Sequence, residues 1–261
     1  MAGLAAITSA ASGGEDPPAQ APPAPDASEL VRRGEAVLRG EGVFVEVALS
    51  ATSPGRKTPR EVRYRAWYDA RNERALVRVL APGKRAGLAF LSLPPNLWRY
   101  APRDASTTRI APEARRAPWL GSDLSLEEVT SAESDVGRYA HRILRVDEAA
   151  GEGGALRAFV VESVPREGAE VAWGRVLRWF EAERGTPLRE ERYDAQGVLV
   201  SSVEWADLRD VAGRRFPHLW VFRAHGGEQE GRETRLHFES VRFDPELADD
   251  LFTTTTLQPK E

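Results

Sequence analysis

The sequence predicts a mainly β protein with a few helices (α+β), built on one large, curled antiparallel sheet. The first indication is a hydrophobic period of two: in EVRYRAWY, the side chains of Val62, Tyr64, Ala66 and Tyr68 fall on one side. Such alternation is typical of antiparallel strands with one buried face. The second indication is that roughly eleven to thirteen such runs follow one another in neighbouring pairs, and a sheet of that size tends to curl or close.

Helices are predicted at the start of this region, after Ser125 and at residues 245–251. The first covers residues 26–40, where Asp26 is a good N-cap, Glu29 completes a capping box and Gly40 ends the helix. Its apolar and small residues fall on one face that would fill the concave side of the sheet: Leu30, Gly34, Val37 and Leu38.

The strands are predicted in order from residue 43. VFVEVALS, EVRYRAWY and RALVRVL come first, and LAFLSL and LWRY form a hairpin around residues 94–96. The later strands lie in YAHRILRV, ALRAFVVES, RVLRWFEAE, PLREERYD, VLVSSVEWADL, FPHLWVFRA and ETRLHFESVRF, with a turn at residues 194–197.

Two regions are predicted: an Ala/Pro-rich tail at residues 1–25 and a single domain at residues 26–261. The tail begins with a short apolar run and small residues that resemble a cleavage region, but it lacks a positively charged start. A truncated signal peptide and a plain disordered tail both fit. No window holds the 18 or more apolar residues that a membrane-spanning helix needs.

Composition and motifs exclude several functions. The net charge is −4 and no residue is a cysteine, so the sequence gives no sign of a nucleic-acid-binding face, a disulfide or a thiolate site. The four histidines have no partner at metal-ligand spacing, and no nucleophile elbow is present. We therefore predict no catalytic residue, no metal, no cofactor and no enzyme activity.

The stretch WLGSDLSLEEV, residues 119–129, lies between two groups of strands. Ser125 and Glu128 fit a capping box at the start of a short helix, and Gly121 permits a tight turn. Trp119 would anchor the loop on the sheet. For Asp123 we favour an Asx turn with nearby backbone amides over a catalytic role.

Aromatic side chains recur within the predicted strands, and most of them would form the core. A curled sheet nevertheless has more concave area than one or two helices can fill. Apolar surface left over there would form a lipid-sized cavity, which offers a physical route to a carrier function.

Several short motifs in order resemble the outer-membrane lipoprotein-sorting proteins, a LolA/LolB-like family. They are RVLAPGKRAGLAFL at residues 78–91, NLWRYAP at 96–102, WLGSDLSLEEV at 119–129, and the rhythm of strands and turns from residue 175 to FESVRFDPELADDLFT. The resemblance covers residues 35–257. One conservative departure is Leu124, where the family often has Phe.

This resemblance implies an unclosed β-barrel with a helical lid over a hydrophobic cavity, and a monomer that works in the periplasm. It implies carriage of acyl chains of lipoproteins or other lipids, with an inner-membrane transporter or an outer-membrane receptor as membrane partner. It implies no particular cargo. The absence of a lipobox cysteine argues against a lipid anchor of the kind that LolB-type receptors carry.

The candidate site residues are the apolar and aromatic positions of the alternating faces and the residues of the helix and loop that would cover them. The candidate lipid-binding residues are Val45, Val47, Leu49, Tyr64, Tyr68, Val77, Val79, Phe90, Trp98, Trp119, Trp220, Phe222 and Phe238. The candidate lid and loop residues are Leu30, Val37, Leu38, Gly121, Ser122 and Asp123. The alternatives are a periplasmic accessory subunit that docks on a membrane transporter, predicting a packed interior and an exposed apolar patch, and an enzyme, for which no motif is present.

Overall fold

The computed structural model describes residues 25–132, 134, 136–151 and 154–258, and in them the chain forms one open antiparallel sheet of thirteen strands. The predicted fold class is thereby confirmed. The strands are β1 Gly42–Thr52, β2 Arg60–Asp69, β3 Arg74–Ala81, β4 Ala89–Leu93, β5 Asn96–Ala101, β6 Ser106–Arg109, β7 Tyr139–Gly151, β8 Gly154–Pro165, β9 Arg175–Glu181, β10 Pro187–Tyr193, β11 Leu199–Val211, β12 Arg214–Ala224 and β13 Glu233–Phe243.

The sheet order is β6-β5-β4-β3-β2-β1-β13-β12-β11-β10-β9-β8-β7. Each strand therefore pairs with its sequence neighbour except at the centre, where β1 pairs with β13 from Val43↔Phe243 to Thr52↔Glu233. The edge strands β6 and β7 do not pair with each other, so the sheet stays unclosed.

The first helix, α1, spans Ala27–Arg39, close to the predicted bounds, but Glu29 does not complete the predicted capping box, because its carboxylate pairs with Arg32 and Arg33. The Asp26 side chain accepts a hydrogen bond from the Glu29 amide at 2.9 Å, and Gly40 follows with a φ of 60°. The buried face consists of Leu30, Val31 and Gly34. Leu30 and Gly34 belong to the predicted face. Val31 joins them, whereas Val37 and Leu38 are only partly buried.

The second helix, α2, is the short segment Leu126–Thr130. The helix predicted at residues 245–251 is wrong in extent: only a 3-10 turn at Asp249–Phe252 forms there. Phe252 and Leu257 pack against Leu76 and Leu91 of the sheet. These hydrophobic contacts hold the C-terminal segment against the sheet without a regular helix.

The two faces of the sheet are covered differently. We call the inner face the one that α1 and residues 118–130 cover, and the outer face the opposite one. The largest apolar cluster lies on the inner face. On the outer face the C-terminal segment covers β3–β5, and a smaller cluster around Val160 and Trp179 lies on β8–β10.

The predicted N-terminal tail stays untested. Residues 1–24, nearly all of the predicted tail, lie outside the described residues. The division into a tail and a single domain therefore remains a prediction. Within the described part, no helix is long and apolar enough to cross a membrane.

We predict that Gly34→Ala destabilises the protein although alanine favours helices. A Cβ atom at residue 34 would lie 2.3 Å from Cε1 of Phe180, a side chain that is only 1% exposed. Forcing α1 away from the sheet should lower the free energy of unfolding by about 1–3 kcal/mol, measured by urea denaturation. Gly83→Ala is the matched control, since its Cβ would meet nothing within 4 Å. Equal stability of the two variants would contradict this account.

Candidate functional site

Five aromatic side chains form one cluster on the inner face of β11, β12 and β13. The register places Trp205 opposite Trp220, and their ring centroids are 6.1 Å apart. Trp220 and Phe216 lie 4.9 Å and 5.1 Å from Phe238. Phe222 completes the cluster, 6.4 Å from Trp220. Cross-strand aromatic pairs of this kind stabilise a sheet and make its face strongly apolar.

The other half of the inner face is mainly aliphatic and is continuous with this cluster. It is lined by buried side chains of β1 to β4: Val45, Val47, Leu49, Tyr64, Val77, Val79 and Phe90. Together the two halves give an apolar surface that crosses the centre of the sheet.

Residues 118–130 lie across this surface, and we call them the inserted segment. The segment folds back on itself, because the Trp119 amide donates to the Leu124 carbonyl at 2.7 Å. The predicted tight turn is present, since Leu120 and Gly121 have φ values of 52° and 87°. The Trp119 indole packs against the rings of Tyr64 and Phe90, with centroids 5.1 and 6.2 Å away.

The helix α2 belongs to the inserted segment and begins at the predicted capping box. The Glu128 amide donates to Ser125 Oγ at 3.1 Å, and the Ser125 amide donates to Glu128 Oε2 at 2.8 Å. Leu126 and Val129 then point into the inner cluster. The Tyr68 hydroxyl donates to the Val129 carbonyl at 2.7 Å and ties α2 to β2.

The two polar residues after Gly121 have different roles. Ser122 is buried, and its hydroxyl donates to the Trp119 carbonyl at 2.7 Å. The predicted Asx turn, in which Asp123 would cap the amides that follow it, does not form. The Asp123 carboxylate instead accepts a hydrogen bond from the Thr234 hydroxyl at 2.8 Å. Burial raises the pKa of Asp123 from its usual value, and the bond from Thr234 partly opposes that rise. The inserted segment is thus held to β13 by a long-range contact that sequence spacing does not reveal.

A buried charged cluster adjoins the apolar surface on the inner face of β9 and β10. Glu190 accepts hydrogen bonds from Nε of Arg178 and Nε of Arg192, each at 2.6 Å. Arg192 Nη1 also donates to Glu128 Oε1 of the inserted segment at 2.8 Å. Burial alone would raise the pKa of Glu190, but the two guanidinium groups outweigh it and hold the pKa at about 2. We call Arg178, Glu190 and Arg192 the charged cluster.

Twelve of the thirteen candidate lipid-binding residues belong to the inner-face cluster. The exception is Trp98, which pairs with Leu91 and packs on the outer face beside Tyr100. Of the candidate lid residues, Leu30 packs on Phe180, Leu38 touches the inner cluster, and Val37 is partly buried on α1. Gly121, Ser122 and Asp123 belong to the inserted segment. The binding role of all these residues stays a prediction.

In the described part of the chain, the protein's own side chains fill the centre of the inner face, where the cavity was predicted. Four residues of the inserted segment occupy it, with exposed fractions of 2–7%: Trp119, Leu124, Leu126 and Val129. Two shallow depressions of the described part lie elsewhere, one beside Trp98 on the outer face and one beside Val146 on the edge strand β7.

Sequence reasoning missed the charged cluster. In PLREERY of β10, charged residues fall on both faces of the strand, so the period of two shows no apolar side. The alternating pair Glu190 and Arg192 was the available signal, but their partner Arg178 comes from another strand. Trp205 and Phe216 were visible as aromatic strand residues, and only the register brings them to the site.

A family model described as "Uncharacterized protein" matches residues 71–259. A comparison with curated proteins gives no match.

Three solved structures share this fold, and two of them are named for the superfamily that the motifs resemble. A domain assigned to an outer membrane lipoprotein-sorting protein from Vibrio parahaemolyticus is 20% identical, with a TM-score of 0.72 over 88% of this chain and 97% of that one. A LolA superfamily protein from Nitrosomonas europaea is 18% identical, with a TM-score of 0.72 over 89% and 100%. A DUF1329 family protein from Desulfovibrio piger is 20% identical, with a TM-score of 0.75 over 88% and 97%. The resemblance is confirmed, and identities this low show the fold alone.

We predict that Glu190→Gln removes part of the acid sensitivity of the fold. The folded-state pKa of Glu190, about 2, lies below the ordinary value of 4.5. Its charge therefore stabilises the protein fully above pH 4.5, and this contribution is lost as the pH falls towards 2. At neutral pH the variant leaves two guanidinium groups with one partner fewer, which should cost about 3–5 kcal/mol.

Urea denaturation at a series of pH values tests this. The stability gap between the wild type and Glu190→Gln should narrow below pH 4.5. The control is Glu204→Gln, on a side chain that is 46% exposed. A gap that stays constant down to pH 2 would show that the Glu190 charge is not the cause.

Proposed function

The chain belongs to the family of uncharacterized proteins whose model matches residues 71–259, and we propose that it is a periplasmic carrier of acyl chains. In this proposal the inner face holds the acyl chains of lipoproteins or other lipids, and the protein moves them towards the outer membrane. The name of the Vibrio parahaemolyticus relative, a lipoprotein-sorting protein, points in the same direction.

The observation that carries the proposal is the way in which the inner face is covered. No second sheet packs on it in the described part of the chain; the central apolar surface is covered by the short inserted segment. Four apolar side chains of that segment occupy the place that acyl chains would take. Each acyl methylene that leaves water for this surface would contribute roughly 0.8 kcal/mol.

Loading requires the inserted segment to move. The free-energy cost of this movement is low, because acyl chains take the place of the apolar side chains of the segment. When acyl chains replace Trp119 and Leu126 on the inner face, that surface stays dry. The side-chain contacts that must break are few among the described residues. They join Asp123 to Thr234, Tyr68 to Val129, Arg85 to Leu120 and Arg192 to Glu128. The displaced side chains would be exposed, so a membrane transporter or receptor that covers them would favour loading and unloading.

A second candidate function has its own support. The edge strand β7 has 13 residues, and Leu144 and Val146 on it are 37% and 46% exposed. Val164 on the neighbouring β8 is 42% exposed. A packed interior with an apolar edge is what a docking subunit of a membrane transporter would present.

Locking the inserted segment provides the test. The Asp123 and Thr234 side chains are in hydrogen-bond contact, so Asp123→Cys combined with Thr234→Cys should form a disulfide. The chain has no other cysteine. Native mass spectrometry after incubation with lipid vesicles should show bound lipid on the wild type and on the reduced variant. The oxidised variant should bind less than about a tenth as much, a difference of roughly 1.4 kcal/mol or more.

The outcomes separate the two functions. Equal lipid binding by the oxidised and reduced forms would mean that acyl chains do not enter beneath the inserted segment. No lipid on any form would reject the carrier and favour the docking subunit. Single cysteine variants, treated with the same oxidant, control for effects of the substitutions themselves.

A further inference from the structure

The charged cluster lies directly beside the apolar surface. Glu190 is paired with Val203 of β11, a fully buried member of the inner cluster, and Arg192 is paired with Ser201. Arg178 and Arg192 are only 13% and 16% exposed. A ligand with acyl chains on the inner face would therefore bring its polar end within reach of two largely buried guanidinium groups.

The inserted segment supplies one of the two carboxylates that Arg192 contacts. Arg178 and Arg192 are offset by Glu190 from the sheet and by Glu128 from the inserted segment. When the segment moves, Glu128 leaves with it, and Nη1 of Arg192 loses its acceptor. A largely buried guanidinium group that loses a carboxylate partner is destabilised, so the displaced state favours an anion at this place.

After this movement, Nη1 of Arg192 would be well oriented to donate to such an anion. Glu190 holds Nε of Arg192 at 2.6 Å, and Nη1 is the group that reaches Glu128 at 2.8 Å. The guanidinium also lies 5.6 Å from the ring centroid of Trp173, which limits its movement. Arginine held in this way suits phosphate oxygens as well as carboxylates.

A second donor on the same face has no acceptor. Trp205 is 9% exposed, and its Nε1 has no hydrogen-bond partner among the described residues. Trp205 follows Val203 by two positions on β11, so both side chains lie on the inner face. A buried donor without a partner is destabilising, and a ligand with an acceptor group near its acyl chains would satisfy it.

We propose that the charged cluster binds the phosphate of an anionic lipid headgroup, which takes the place of the Glu128 carboxylate when the inserted segment moves. This inference rests on the proposed carrier function and adds the class of cargo: phospholipids with a net negative charge. The Glu128 side chain then has two roles, as part of the α2 capping box and as the group that the headgroup displaces.

The test compares two lipids with identical acyl chains: phosphatidylglycerol, which carries an anionic phosphate, and diacylglycerol, which carries none. Each is used to displace a fluorescent fatty-acid probe from the full-length protein. The wild type should bind phosphatidylglycerol about tenfold more tightly. Arg192→Gln should abolish that preference, read as the ratio of the two affinities, because the loss of the contact with Glu128 changes the cost of moving the inserted segment equally for both lipids.

A second variant works in the opposite direction. Glu128→Gln removes the competing charge, while glutamine at this position still completes the capping box. It should strengthen the binding of phosphatidylglycerol by several-fold and keep the preference over diacylglycerol, whose loading breaks the same contact with Arg192. The matched control for Arg192→Gln is Arg189→Gln on the same strand, because Arg189 pairs with Glu191 on the outer face and is 46% exposed.

The results distinguish this inference from the proposed function. If both lipids bind equally and neither variant changes their ratio, the phosphate proposal is overturned and the carrier stands. If neither lipid displaces the probe from the wild type, the carrier function itself fails. If Arg189→Gln alters the preference as strongly as Arg192→Gln, the effect comes from overall charge and the charged cluster is not the site.

Discussion

The structure depends on one constraint: an open sheet with a large apolar inner face must be covered by something. The insertion of Trp119 between Tyr64 and Phe90 meets this requirement at the centre of the sheet. Helix α1 meets it beside Phe180, where Gly34 lets the helix approach closely. These two covers come from distant parts of the chain, so long-range contacts close the inner face.

Polar contacts fix where the inserted segment lies on the sheet. Apolar packing alone is tolerant of small displacements, whereas hydrogen-bonded partners must meet at defined atoms. Asp123 meets Thr234 on β13, and Glu128 meets Arg192 on β10. A buried ion pair adds little net stability because desolvation offsets its attraction. The charged cluster is therefore better understood as a determinant of the position of the inserted segment.

The proposed carrier combines these two kinds of contact. An apolar surface binds acyl chains in proportion to the area that it removes from water, without regard to the headgroup. Selectivity requires a polar group beside that surface, and in this chain the guanidinium of Arg192 lies there. Arg192 also holds the inserted segment in place through Glu128. In the proposed carrier, the segment and the phosphate of the cargo therefore compete for Nη1 of Arg192. The exposed edge at Leu144 and Val146 is separate from this arrangement and suits a protein partner.

The sequence by itself determined the fold class, the pairing of most neighbouring strands, the Asp26 cap of α1 and the capping box of α2, because these follow from local periodicity and capping. It singled out twelve candidate residues that the structure places in one cluster, but it did not determine which face of the sheet is the inner one. It could not place Trp98, which the alternation of β5 puts on the outer face once its pairing with Leu91 is known. Only the tertiary structure decided that the inserted segment fills the inner face, that Asp123 meets Thr234, and that Arg178, Glu190 and Arg192 form one cluster. Those contacts join residues far apart in the chain, and their geometry depends on how the whole sheet curls.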